Sequence, residues 1–255
     1  VNEIHQHFEW LQFGPYKSKD YGVWISGEGS FVVPERDVDV FEIPGRNGTL
    51  SIDNGRWKNI QITYPCFMSG NFLEDFAKFK EAFFRYTGYR NLWDTHHPDG
   101  YRKARIIGGL KPKPGPYNRS ARFDITFDCW PQFYLDSGDT GITFTSPGTI
   151  SNVPAESISR PRVSVYLATS GGSKRSGSVT IGGRTISFAN LPYDEGSPLV
   201  IDCEEREITY GLNGSVSQYF TLDDGDFFEI TPPSVSVSFA SEVVGLSIRP
   251  RWWTL

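Results

Sequence analysis

Cysteine and methionine are scarce in this chain, and long apolar runs are missing. Cys66, Cys129 and Cys203 stand far apart in 255 residues. Three are too few for a disulfide framework, and none forms a C-x-x-C pair, which argues against a zinc site. They read as reduced, mostly buried thiols in a protein made in a cytoplasm. No apolar run reaches the ~18–20 residues that span a bilayer, so no membrane insertion is expected. No signal-peptide pattern opens the chain, and residue 1 is Val, so a processed or trimmed start is expected. P-loop, G-x-G-x-x-G and G-x-S-x-G patterns are absent, so no catalytic or cofactor-binding residue is assigned. Charge of one sign is also lacking: the net charge is −5, which argues against nucleic acid as the main partner.

Aromatics and turn formers are plentiful. There are 19 Phe, 12 Tyr and 7 Trp, with 26 Gly and 17 Pro. Aromatic-rich sequence cut often by turn formers points to a mostly β architecture. Residues 1–135 carry 17 Lys/Arg against 16 Asp/Glu, and residues 136–255 carry 8 against 14. The switch from +1 to −6, at the polar stretch Asp136–Gly141, marks an expected boundary between domains 1–135 and 136–255.

Short strands are predicted at 8–13, 21–25, 31–33, 38–43, 50–52 and 59–67, with Pro65 placing part of the last at an edge or bulge. Then the period changes. Phe72, Phe76, Phe79, Phe83 and Tyr86 are spaced as one stripe of a helix over 71–86. Asn71 with Glu74 predicts a capping box, and Gly88 a C′ residue. Strands resume at 101–107 and 122–129, around the Pro-rich segment 111–117, which reads as a projecting loop. Past Asp136, eight or nine short strands have the spacing of a β-sandwich, with Gly182-Gly183 and Asn213-Gly214 as hairpin turns.

Candidate chemistry is sparse. Asp94, His96, His97 and Asp99 cluster but end in Pro-Asp-Gly, and read as a polar loop rather than a metal site. Glu204, Glu205 and Glu207 read as a solvated edge. Asp223, Asp224, Asp226 and Glu229 lack the order of a calcium loop. The basic run Arg102, Lys103, Arg105, Lys111, Lys113, Arg119 and Arg122 reads as a solvated hairpin or a face that docks an acidic neighbour.

The most informative stretch is Glu42-Ile-Pro-Gly-Arg-Asn-Gly48. Pro44 ends a strand, and Gly45, Asn47 and Gly48 make a tight turn with Arg46 at its tip. It resembles the "IPGRxG" segment of distal tail proteins, the baseplate hub subunits of long-tailed bacteriophages. Other segments are similar in order: Ser18-Lys-Asp-Tyr-Gly22, Tyr101–Gly108, Cys129-Trp-Pro-Gln-Phe-Tyr134, Val200-Ile-Asp202, Asp224-Gly-Asp-Phe-Phe228 and Arg249-Pro-Arg-Trp-Trp253. Pro233-Ser234 departs from the family, which often has Gly there.

The resemblance implies an N-terminal β-sandwich that carries one helix and closes, as a homo-hexamer, into a ring. A C-terminal galectin-like or carbohydrate-module-like sandwich would follow. It implies a structural protein of the virion tail tip and no enzyme. The expected partners are the tail tube protein, the tail-associated lysin or fibre protein, receptor-binding proteins and cell-surface glycans. Pro44, Gly45, Arg46 and Asn47 would lie at the subunit interface. Two other readings stay open. One is a carbohydrate-binding module of a secreted or cell-surface protein, with Tyr193, Tyr219, Trp252 and Trp253 as sugar platforms. The other is a glycoside hydrolase with two carboxylates across a groove.

Overall fold

The computed structural model describes residues 8–27, 31–154, 158–170, 172–194, 196–211 and 216–255. The protein is mostly β. It divides into two compact units, one of residues 1–133 with Leu255 and one of Tyr134–Thr254.

The first unit holds β1 (Leu11–Phe13), β2 (Tyr16–Lys17), β3 (Val23–Ile25), β4 (Arg36–Glu42), β5 (Thr49–Trp57), β6 (Ile60–Ser69), α1 (Phe72–Phe84), β7 (Arg90–Asp94), β8 (His97–Ile107), β9 (Lys113–Pro114) and most of β10 (Ser120–Leu135). Its main sheet runs β2-β1-β7-β8-β10-β6-β3, with β9 added along β10. β6 and β10 keep unbroken register from Ile60↔Cys129 to Ser69↔Ser120. Strict alternation drives this: Ile60, Ile62, Tyr64, Cys66 and Met68 are buried, and the residues between them face out. Pro65 does not make β6 an edge. Its carbonyl accepts from Ser26 N at 2.8 Å, so its missing N–H points to the side where β3 has already ended at Ile25.

Among the described residues α1 is the one α-helix. Phe79 and Phe83 are fully buried, 4.4 Å apart between ring centroids. Phe79 meets Phe123 of β10, and Phe83 meets Phe13 of β1. The helix is shorter than its stripe. It stops at Phe84, which leaves Tyr86 outside it and 40% exposed. Asn71 forms no backbone cap, because its side-chain amide donates to Glu74 Oε2 at 3.0 Å instead. Residues 31–33 form no strand.

The second unit is a two-sheet sandwich built from β11 (Ile142–Phe144), β12 (Gly148–Ile150), β13 (Arg162–Leu167), β14 (Lys174–Ile181), β15 (Arg184–Pro192), β16 (Leu199–Asp202), β17 (Glu207–Tyr210), β18 (Phe220–Leu222), β19 (Val235–Ser241) and β20 (Val243–Arg249). The sheets run β11-β20-β13-β16-β17 and β12-β19-β14-β15-β18. Val163, Val165, Leu246 and Ile248 of one sheet and Val179, Ile181, Ile186 and Val237 of the other belong to one buried cluster. Gly182 and Gly183 turn β14 into β15 with φ of 63° and 85°, a conformation that suits glycine. The expected turn at Asn213-Gly214 lies outside the described residues.

Candidate assembly surface

The expected interface residues sit on a two-stranded ribbon, β4–β5, that forms a sheet by itself. Its strands register as Phe41↔Leu50, Val40↔Ser51 and Asp39↔Ile52. Directly opposed residues share a face, so Phe41, Leu50 and Ile52 lie together on one side. All three are about half exposed, as is Val40 on the other side. A lone hairpin is marginal in water. Cross-strand charge pairs hold this one at its base: Arg36–Asp53 at 2.8 Å and Arg56–Asp37 at 2.6 Å. The Arg36 hydrogen bond, with one from Gly55 N, holds the Asp53 carboxyl below its ordinary range.

The tip differs from the Asn-Gly turn that the sequence suggests. Arg46 N donates to Ile43 O at 3.1 Å, and Gly45 has φ of 81°. Pro44 and Gly45 are thus the central residues of a type II turn. Asn47 and Gly48 continue the loop into β5. Arg46 is exposed, and its guanidinium has no partner among the described residues.

The aspartate–histidine cluster is no polar loop. Asp94 ends β7 and His97 starts β8, joined by the two-residue turn Thr95-His96. Asp94 is only 7% exposed. It accepts from Tyr64 Oη at 2.6 Å, from His97 N at 2.9 Å and from His97 Nδ1 at 3.1 Å. Burial first, then the Asp94 charge, holds the Tyr64 phenol well above its ordinary range. These groups floor a cavity of about 360 Å³ with Phe31, Arg102 and Phe133 on its walls. Tyr64, Asp94 and His97 satisfy one another, Arg102 donates to Pro131 O, and the C-terminal residue Leu255 also lines the cavity. Alternation hid this site, because β7 was not legible as a strand and Pro98-Asp99-Gly100 lies inside β8.

Three of the other acids, Asp202, Glu204 and Asp226, are also committed, while Glu205, Glu207, Asp223 and Asp224 are exposed. Asp202 takes a bidentate pair from Arg251 at 2.7 and 2.8 Å, and Glu204 accepts from Tyr134 Oη at 2.9 Å. Burial would raise the Asp202 carboxyl, but Arg251 and two backbone N–H groups more than offset it, and the net shift is downward. Asp226 pairs with Arg206 and Arg184. No group of three metal-ligating side chains occurs among the described residues. The four aromatics of the sugar-platform reading are each engaged within the chain: Trp252 is buried, Arg175 covers Tyr193 at 4.0 Å, Trp253 Nε1 donates to Ile158 O, and Tyr219 is partly buried against the second unit's core.

The basic run splits in two. Arg102 donates to Pro131 O, Lys103 lies over Trp130 at 4.5 Å, and Arg105 pairs with Asp128 at 2.9 Å. Lys111, Lys113, Arg119 and Arg122 are exposed and carry no ion pair among the described residues. They surround a tight turn in which Tyr117 and Asn118 both have positive φ, 57° and 53°, closed by Arg119 N to Pro116 O at 3.3 Å. That is a type I′ pattern, and a Tyr in it costs about 1–2 kcal/mol.

The fold, a curled sheet with one helix followed by a two-sheet sandwich, is that of baseplate hub proteins of long-tailed phages, the distal tail protein fold. The SPP1 Dit (gp 19.1) protein, described as a paradigm of the hub adsorption apparatus in Gram-positive infecting phages, matches with a TM-score of 0.67 at 11% identity, over 97% of this chain and 99% of that one. A chain of the phage P2 baseplate in its activated conformation with Ca matches at 0.55 and 11% identity, over 94% and 98%. The same baseplate with Sr matches at 0.52 and 11% identity, over 94% and 98%. No family model matches the sequence, and no curated protein sequence matches it.

Proposed function

We propose that this chain is a structural hub subunit of a phage tail tip, that six copies close into a ring, and that it catalyses no reaction. The observation that carries the reading is the correspondence in fold, over nearly the full length of each, with the SPP1 Dit protein and with a chain of the phage P2 baseplate. The uncovered ribbon supports it. Ring closure needs a patch on each copy that fits a different patch on the next, and a half-exposed apolar face on a charged hairpin is such a patch. Residues 44–47 sit at its tip and would reach the neighbour, with the unpaired Arg46 guanidinium as a planar donor. The ring would join the tail tube on one side to the lysin or fibre protein on the other. The second unit, a galectin-like sandwich, would hold receptor-binding proteins or cell-surface glycans on the outside.

Light scattering on the eluting protein tests the ring: the expected mass is six times the 28.7 kDa chain. Arg46→Glu should lower that mass on dilution without changing the melt of the chain. A wild-type monomer at every concentration refutes the ring, and a variant whose assembly matches wild type refutes the role of Arg46.

A further inference from the structure

The ring reading leaves unexplained the arm between β8 and β10. It projects the most exposed large apolar side chain among the described residues, Tyr117, at 93% exposure. The arm is stiff. Lys113 and Pro114 pair with Arg122 and Ala121, Gly115 N donates to Ser120 O at 2.8 Å, and Gly70 N donates to Arg119 O at 2.9 Å. Two of its features are unfavourable within the chain. Tyr117 occupies left-handed backbone where glycine or asparagine is at ease. Lys113 and Arg122 sit directly opposite each other across β9 and β10, where like charges repel. Asp124, the next acid along that face of β10, makes no ion pair with either. The tyrosine ring touches no other ring, and the four cations have no counter-charge in the described residues. A rigid aromatic knob ringed by free cations is the anatomy of a binding hot spot, with its ordering cost already met.

The chain itself supplies a match. Residues 136–255 carry the acidic excess. On the second unit two exposed acidic turns lie side by side: Glu205 and Glu207 flank Arg206, Asp223 and Asp224 precede Asp226, and Arg206 pairs with Asp226. None of those four acids makes an ion pair among the described residues.

We propose that the arm of one copy docks, Tyr117 first, on this acidic face of a second copy. The contact joins different patches on the two copies, so it repeats around a closed ring without using the β4–β5 hairpin. It rests on the ring reading and adds a second contact to it.

A charge swap tests it, read as the dissociation midpoint of the assembly by sedimentation in a dilution series at low salt. Lys113→Glu with Arg122→Glu should weaken assembly about tenfold, and Asp223→Lys with Asp224→Lys should do the same. The four changes together should restore most of the loss. Tyr117→Ser should weaken assembly by roughly 30-fold with the melt of each unit unmoved. A wild-type ring that ignores the arm changes refutes this contact and leaves the ring reading standing; a wild-type monomer refutes the ring reading itself. Weakening by both single-side variants with no recovery in the combined variant refutes the pairing of these two faces. An arm variant that assembles normally but loses binding to a labelled single-stranded oligonucleotide, used as probe, assigns the arm to nucleic acid and overturns the proposal.

Discussion

Phe41→Ser would remove the largest ring from the apolar face of the hairpin. That residue is 50% exposed. A large aromatic side chain buries roughly 150–250 Å² when fully covered, so a neighbour that covers the free half removes about 100 Å² from water. At ~25 cal/mol per Å² this is about 2.5 kcal/mol for each contact. Every 1.4 kcal/mol is tenfold, so each contact should weaken by roughly 60-fold. Within its own strand pair Phe41 faces only Leu50, and losing that pair costs about 0.2–1 kcal/mol. The assay pairs a sedimentation dilution series with a circular-dichroism melt. The expected result is a dissociation midpoint moved up by more than an order of magnitude and a nearly unchanged melt. An unmoved midpoint would show that no neighbour covers this face. A melt lowered by many degrees would show that Phe41 packs inside its own chain, and the exposure argument would then be wrong.

Three further outcomes follow from packing and charge. Phe79→Ala removes a fully buried ring and should cost ~3–5 kcal/mol, which lowers the melting temperature of the first unit by about 10–18 °C at the unfolding entropy of some 130 residues; calorimetry reads it, and a shift under about 3 °C would move the helix stripe out of the core. Asp202 has a lowered folded pKa, so its contribution is present above the unfolded value near 4 and is lost as pH falls through the lower folded value. Second-unit melts between pH 7 and pH 2 should drop steeply below about 4, and Asp202→Asn should flatten that drop; equal slopes in both proteins would contradict the Arg251 account. Burial raises the Cys66 thiol and pushes Cys129 and Cys203 up to about 12, so native protein at pH 8 should resist a thiol reagent until denatured, and rapid native labelling would place a thiol at the surface.

Much of the fold was legible because its strongest signals are periodic. The stripe of phenylalanines located α1, and alternation located β6 to within two residues and the start of β10, though β10 runs six residues past the predicted end, to Leu135. The failures are local. Tyr86 continues the spacing, but the chain leaves the helix after Phe84, and a spacing rule has no term for where a helix stops. β7 was missed because Asn, Trp and Asp mask its alternation, and with it went the buried Asp94 that Tyr64 and His97 hold. Pro65 reads as an edge signal, yet β6 lies between two neighbours because the missing donor falls on the β3 side, just past the end of that ladder at Ile25. The tip residues 44–47 were legible as a turn, but not which pair closes it. Both pairs are good formers and both glycines take positive φ, 81° and 86°, so only the hydrogen bond from Arg46 N to Ile43 O singles out Pro44-Gly45.

The two-stranded ribbon has one more consequence. A sheet of two strands has two open edges and no interior strand, so each strand offers unpaired N–H and C=O groups to any other extended chain. What keeps strangers off is charge along those edges: Arg36, Asp37, Asp39, Glu42, Asp53 and Arg56. Charge of this kind discourages another extended chain from pairing there, and it does nothing to the apolar face. Acid that protonates the carboxylates, or salt that screens them, removes the guard while the apolar face remains. If the chain closes into the ring proposed above, clumping would begin at the unassembled copy, and the time a copy spends alone would set the yield of rings.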